Sequence, residues 1–247
     1  YCLVQTGFRI TLQQITGMTG TDSITVNKVL PAVQAYHNLA DTRYGSHPAL
    51  LPGIAPRFSI TLWSRQHRWQ LEAGTGLFNG RMPMAWLSSI YSNNGLVYQS
   101  FEAGAGERKQ MHFSADAQHP WTPEQTGGVA GKGVLNLVAG KLSMPSVWRS
   151  TVQWTRYWPD RSFLQVECMY YVNRKEIHFS NVNLLPAKTR LSGPDNRIVY
   201  PFENQARIPV EADSSNPYQY IVLLRNNPEE HGYGYGAGVS FHKNYPN

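Results

Sequence analysis

Apolar and polar residues alternate with period two in segment after segment of this chain, and no long stretch keeps the 3.6-residue period of an amphipathic helix. Phe8 to Leu12 alternates, and so does Ser23 to Val26. Between Arg57 and Trp63, Phe58, Ile60 and Leu62 share one face and polar groups take most of the other, the mark of a half-buried antiparallel strand. Further strands are predicted at Met84–Ile90, Leu96–Phe101, Lys109–Ser114, Val134–Ala139, Ser150–Tyr157, Phe163–Val172, Glu176–Phe179, Arg197–Phe202, Ala206–Val210, Tyr218–Leu224 and Gly238–His242. Turn chemistry separates them, as at Asn93-Asn94-Gly95, Gly104-Ala105-Gly106, Pro159-Asp160 and Ser192-Gly193-Pro194. The best helix is Val29 to Tyr44, with Pro31 in its first turn and Gly45 as its stop. About a dozen short strands with one short helix predict an all-β fold, an antiparallel β-sandwich of jelly-roll type with extended termini.

Sixteen prolines and 21 glycines are spread as punctuation and form no linker. The 247 residues therefore read as a single domain, 1–247, with 1–55 as an N-terminal extension and 226–247 as a C-terminal arm. Within that arm, Gly232 to Gly238 is rich in glycine and tyrosine and reads as a flexible loop, or as a tail that orders on a partner. The opening Tyr1-Cys2-Leu3-Val4 lacks Met and suits a product cut from a precursor, or a fragment. No apolar run approaches the roughly 18 residues of a membrane helix.

Charge is scarce. Asp, Glu, Lys and Arg make up 15% of the chain, against roughly 25% in ordinary soluble domains. Aromatics reach 12%, and Arg outnumbers Lys 15 to 7. Interface cores shed Lys, Glu and Asp and gain Tyr, Trp, Phe, Met and Arg, so this bias suits a surface largely covered by neighbours. The net charge of +6 is dispersed, with Arg9, Lys28, Arg43, Arg57, Arg65 and Arg68 against Asp22 and Asp41 in the first 70 residues. That allows nonspecific contact with RNA but makes no basic arm. The absence of any Asn-x-Ser/Thr acceptor fits a protein that never meets the glycosylation machinery. Cys2 and Cys168 define no disulfide framework and read as free thiols, Cys168 as inert packing within an apolar run.

Signals for chemistry are weak. Gly127 to Gly133 resembles a phosphate loop, but Thr126 and Gly133 stand where it needs Gly and Ser/Thr. Gly74-Thr75-Gly76 and Gly104 to Lys109 open no helix in a βαβ unit. Among the eight histidines only His112 and His119, with Asp116 between them, approach a metal-ligand spacing. There is no Gly-x-Ser-x-Gly, and Glu229-Glu230 and Glu211/Asp213 lie in turn-rich polar stretches. No catalytic, cofactor-binding or metal residue is assigned, no cofactor is implied, and the chain is not expected to be an enzyme.

Two clusters interleave aromatic and basic groups: Trp63, Arg65, His67, Arg68 and Trp69, then Trp148, Arg149, Trp154, Arg156, Tyr157, Trp158 and Arg161. Such sets stack bases or sugars, or anchor a core or subunit interface; the interface reading is the one adopted.

Gly133 to Ser146, Ser150 to Asp160 and Phe163 to Val166 run as a Gly-led alternating strand, a Pro-Ser loop, an aromatic-rich alternating strand, an Asp-containing turn and a Phe-led end. This stretch resembles the closing strands of picornavirus-like (picorna-like RNA virus) jelly-roll capsid proteins. Leu51 to Phe58, leading into a strand, is also in character. The resemblance implies an eight-stranded jelly roll, sibling coat proteins cut from one precursor, and an icosahedral shell around RNA. The expected function is therefore a structural capsid (coat) protein of a non-enveloped icosahedral RNA virus. Its partners would be copies of itself, sibling capsid proteins, genomic RNA and a host receptor; it would be assembled in the host cytoplasm and located in the virion. The alternative is a carbohydrate-binding, lectin-like β-sandwich using Trp69 or Trp158 as sugar platforms. A β-sandwich hydrolase with its acid pair assembled from distant strands is the third reading.

Overall fold

The computed structural model describes residues 1–15, 17, 20–81, 83–97, 114–119, 132–201, 206–210, 216–227, 232–243 and 245. In chain order these form β1 (Cys2–Thr11), a π-helical turn (Thr25–Val29), α1 (Leu30–Gln34), β2 (Ala49–Leu51), β3 (Gly53–Trp63), β4 (Trp69–Asn79) and α2 (Met84–Ser92). There follow β5 (Gly133–Val138), β6 (Lys141–Ser143), β7 (Ser146–Tyr157), β8 (Phe163–Lys175), β9 (Ile177–Asn181), β10 (Thr189–Arg190), β11 (Ile198–Val199), β12 (Tyr218–Asn226) and β13 (Tyr233–His242). Strands dominate and the large sheet is antiparallel throughout, as the alternation demands.

Two regions divide the structure. The compact region is built on a three-stranded sheet in the order β5-β12-β9, with β12 parallel to β5 and antiparallel to β9. Leu135, Leu137, Ile221 and Leu223 join Val29 and Val33 of the helical stretch in one buried cluster. Their strand neighbours Val138 and Leu224 join Leu87 and Ile90 of α2, with Leu142 and Met144, in a second. Period-two alternation thus sends successive residues of β5 and β12 into cores on opposite faces.

The second region is a six-stranded sheet in the order β1-β3-β4-β7-β8-β13. Its members are long, from 10 to 13 residues. At one end of the sheet, β4 leads into α2, β6 leads into β7 and β8 leads into β9, so these strand ends are continuous with the compact region, and the Gly80 N–H donates to the Pro145 carbonyl beside them. The far ends carry two hairpin turns. In one, the Ser64 hydroxyl accepts the Arg68 and Trp69 N–H groups and His67 takes a left-handed φ of 51°. In the other, Asp160 accepts from Ser162 and Arg161 has φ 63°. β3–β4 and β7–β8 are hairpins laid side by side, an order that by itself does not establish jelly-roll wrapping.

Several expectations change. Met84–Ile90 is helix, because Leu87 and Ile90, three apart, bury together while Pro83 starts the segment at its N-cap. Ser23–Val26 opens the helical stretch instead of a strand, since the Asp22 carboxylate accepts the Thr25 N–H at 2.9 Å. The helix drawn from Val29 to Tyr44 stops at Gln34, and the turn beyond it holds Ala40 and Asp41 at φ 53°. Of Ala206–Val210 only Arg207 pairs, through a single bridge to Leu184. The segment Tyr233 to Gly238 is the first part of β13, not a loop or tail. Residues 1–55 supply edge strand β1, and 226–247 supply β13 at the other edge. Lys109–Met111, the phosphate-loop glycines 127 and 131, His112 and most of Leu96–Phe101 lie outside the described residues.

Candidate assembly interface

Following the register across the large sheet collects whole rows of side chains. One row is Cys2, Leu62, Leu71, Trp154, Val166 and Val239. The next on the same face is Val4, Ile60, Ala73, Val152, Cys168 and Ala237, and the third is Thr6, Phe58, Thr75, Ser150, Tyr170 and Tyr235. A fourth holds Leu77, Trp148, Val172 and Tyr233, with Phe8 opposite Pro56 at the β1 side. None of these rows contains a charged residue. At the turn end the same face continues as Trp69, Arg156, Leu164 and Phe241, so Arg156 sets a charge at its rim. Charges also lie on the opposite face, where one row reads Leu3, Thr61, Glu72, Gln153, Glu167 and Gly238, and another Gly7, Arg57, Gly76, Arg149, Tyr171 and Gly234.

The apolar face is open. Phe8 is 76% exposed, Val152 47% and Tyr235 84%, whereas Leu135 and Ile221 of the compact region are fully buried. Six strands about 4.8 Å apart and about 10 residues long at 3.3 Å each present roughly 900 Å² in projection. The largest apolar patch on a typical monomer is about 300–600 Å².

On the polar face glycines thin the surface. A Cβ on Gly76 would sit 2.9 Å from the Pro56 carbonyl oxygen, and one on Gly234 would meet the Tyr171 ring at 2.5 Å. Between these positions Gly74, Gly236 and Gly238 line a trough of about 600 Å³ whose walls include Gln5, Ser59, Glu72, Gln153 and Glu167. Glu72, Gln153 and Glu167 are consecutive on one row, which sets the two glutamates two strand spacings, about 10 Å, apart. Gln70 donates to the Glu72 carboxylate. This array offers hydrogen-bond acceptors and donors to a polar solute. Sequence inspection did not single out these three residues; each is only a polar position in an alternating strand until the register aligns them.

The two aromatic–basic clusters do not form one site. Strand alternation puts Trp148 and Trp154 on the apolar face and Arg149 on the polar face, while Trp63 and Trp69 face opposite ways at the far end. Trp158, in the turn, packs edge-on against Phe241 at 6.1 Å. Cys168 is exposed on the apolar face, not packed in a core. Cys2 is also a free, exposed thiol and lies four strands away from it. The His119 imidazole donates at 2.7 Å to the Asp116 carboxylate in an exposed turn. Among the described residues no group of three or more His, Cys, Asp or Glu side chains is placed to hold a metal ion, and no helix is long and apolar enough to cross a membrane.

Lys132, read in the phosphate-like loop, is engaged in the compact region. Its ammonium pairs with Asp22 at 3.0 Å and donates to the Gly95 carbonyl at 3.1 Å. Burial pushes the Asp22 carboxyl up, but hydrogen bonds from the Thr25 hydroxyl, Lys132 and the Thr25 N–H outweigh it and hold the group below its ordinary value. Beside it, the Tyr218 hydroxyl meets the Thr25 hydroxyl at 2.5 Å, and burial raises the phenol well above its usual range. This polar cluster fastens the helical stretch to β12; it is structural. Comparison of the chain with protein-family models, curated proteins and solved structures finds no match.

Proposed function

We propose that this protein is a structural subunit that works by assembly, and that its specific form is a coat protein of a non-enveloped icosahedral RNA virus. One observation carries the assembly reading: the exposed apolar face of the six-stranded sheet, whose four rows from Cys2–Val239 to Leu77–Tyr233 hold no charge. Its projected area of roughly 900 Å² is of the size that one partner contributes to a standard stable interface, about 800 Å². The occupant is the same face of a second copy. In an isologous contact the same patch serves both subunits, so every charge on it is desolvated twice; the four rows carry none, and Arg156 lies at the end of the face. Two such faces pack as a sandwich about 10 Å thick. The coat-protein form rests on the sequence resemblance of Gly133 to Val166 and on the low charge content. Negative-stain electron microscopy of the protein from its native source tests it. Uniform icosahedral particles containing this chain are expected; a dispersed monomer would remove the reading.

The trough supports a second reading, a carbohydrate-binding sheet. Its row of Glu72, Gln153 and Glu167 suits the hydroxyls of a glycan. Binding to a glycan array that disappears in Gln153→Ala but survives disruption of assembly would favour it.

A further inference from the structure

We infer that the large sheet continues from copy to copy, the outer edge of β13 in one subunit pairing antiparallel with the outer edge of β1 in the next. This rests on the assembly reading and names its lateral contact. Among the described residues β1 pairs only with β3, and β13 only with β8. Each edge is 10 residues long, and each inner register runs without a bulge.

Proteins that must stay apart blunt such edges with lysine, proline, bulges or very short strands. Neither strand contains Lys or Pro, and Arg9 is the sole Asp, Glu, Lys or Arg in the two. The compact region's edges, by contrast, are short: β5 has six residues and β9 five.

Direction favours a head-to-tail junction. The six strands alternate in sense, so β1 and β13 run opposite ways. A β13–β1 junction is therefore antiparallel and extends the sheet without changing its order. It uses both edges in a single kind of contact, and such a contact closes into a ring when its rotation allows.

The side chains agree. On the polar face β13 carries only Gly234, Gly236 and Gly238 before Ser240, whereas β1 brings Leu3, Gln5 and Arg9. Pairing β13 with itself would set bare backbone against bare backbone, without the cross-strand contacts that stabilise a sheet. Pairing it with β1 sets long side chains beside glycines.

The inference fixes a parity. In β1 the apolar face holds even-numbered residues, and in β13 odd-numbered ones. A one-residue slip would invert every side chain of one strand, so even positions of β1 must face odd positions of β13.

Disulfide trapping tests this in a Cys2→Ser, Cys168→Ser background. A subunit bearing Thr6→Cys is co-assembled with a differently tagged subunit bearing Tyr235→Cys, Ala237→Cys or Val239→Cys, then mildly oxidised. Phe8→Cys replaces Thr6→Cys if the latter fails to assemble. Conversion of most of the monomer band to a cross-linked dimer is expected for at least one of the three pairings, and none for Ser240→Cys, which lies on the polar face. Self-linking of Thr6→Cys, or normal particles with no β1–β13 link, would overturn the inference while leaving the assembly reading intact. A wild-type chain that forms no assembly would remove both.

Discussion

The two sheets are built from the same alternating pattern and end in different states. In the three-stranded sheet, Leu135 and Ile221 face the helical stretch Thr25–Gln34, while Val138 and Leu224 face α2, and all four are buried. In the six-stranded sheet, the described residues supply no layer over Val4, Val152 or Tyr235, each at least 47% exposed. The difference shows that alternation specifies a face to be covered without specifying what covers it. Among the described residues the compact region completes its core, whereas the large sheet leaves an exposed apolar face and two edges that pair with no further strand.

The comparison makes its largest demand on stability. Leu135→Ala is expected to cost about 2–5 kcal/mol, because the fully buried side chain leaves a cavity between β5 and the helical stretch. Val152→Ala in the unassembled subunit is expected to cost below about 1 kcal/mol, since half of that side chain is already in water. Urea unfolding of both variants checks the pair; equal losses would mean that the large sheet's face is covered within the chain.

A smaller effect sharpens the comparison inside the large sheet. Gly76→Ala is expected to destabilise by about 1–3 kcal/mol, because its Cβ would meet the Pro56 carbonyl oxygen at 2.9 Å, backbone against backbone. Gly236→Ala, whose Cβ would meet nothing nearer than the Met169 methyl at 4.0 Å, is expected to be nearly neutral. Thermal melts of the two variants separate close strand approach from mere strand propensity.

In the compact region, Tyr218→Phe is expected to cost about 1 kcal/mol by removing the hydroxyl that Thr25 engages. The smallest effect concerns pH. The Asp22 carboxyl is depressed in the folded state, so its contribution is complete above the unfolded carboxyl value of about 3.9 and lost as pH falls through the folded value. Asp22→Asn should therefore flatten the acid limb of a stability–pH curve measured by urea unfolding. An unchanged acid limb would show that Lys132 and Thr25 do not favour the charged form.

Much of the strand content was legible, and the reasons for the failures are physical. β3, β7 and β8 declare themselves through apolar side chains at every second position, and β12 through the continuous apolar run from Tyr220 to Leu224. β4 alternates just as strictly through Trp69, Leu71, Ala73, Thr75 and Leu77, but Gly74 and Gly76 between them read as a loop. The same holds for Tyr233 to Gly238, where glycine is the polar half of the alternation. In α2 nine residues are too few to separate a 3.6-residue period from an alternating one, and only the burial of Leu87 with Ile90 decides it. Neither the apolar face nor the row of Glu72, Gln153 and Glu167 is visible in any one strand. Both arise from the register of six strands drawn from both ends and the middle of the sequence.

Sedimentation velocity of the wild-type chain beside Val152→Asp tests the central claim most directly. Val152 lies within the apolar face and remains exposed in the isolated subunit, so an aspartate there leaves the monomer folded but brings two unpaired charges into any face-to-face contact. The wild type is expected to sediment as an assembly and Val152→Asp as a folded monomer with an unaltered far-ultraviolet circular dichroism spectrum. A wild type that stays monomeric at high concentration, or a Val152→Asp variant that assembles as the wild type does, would contradict a role for this face in assembly.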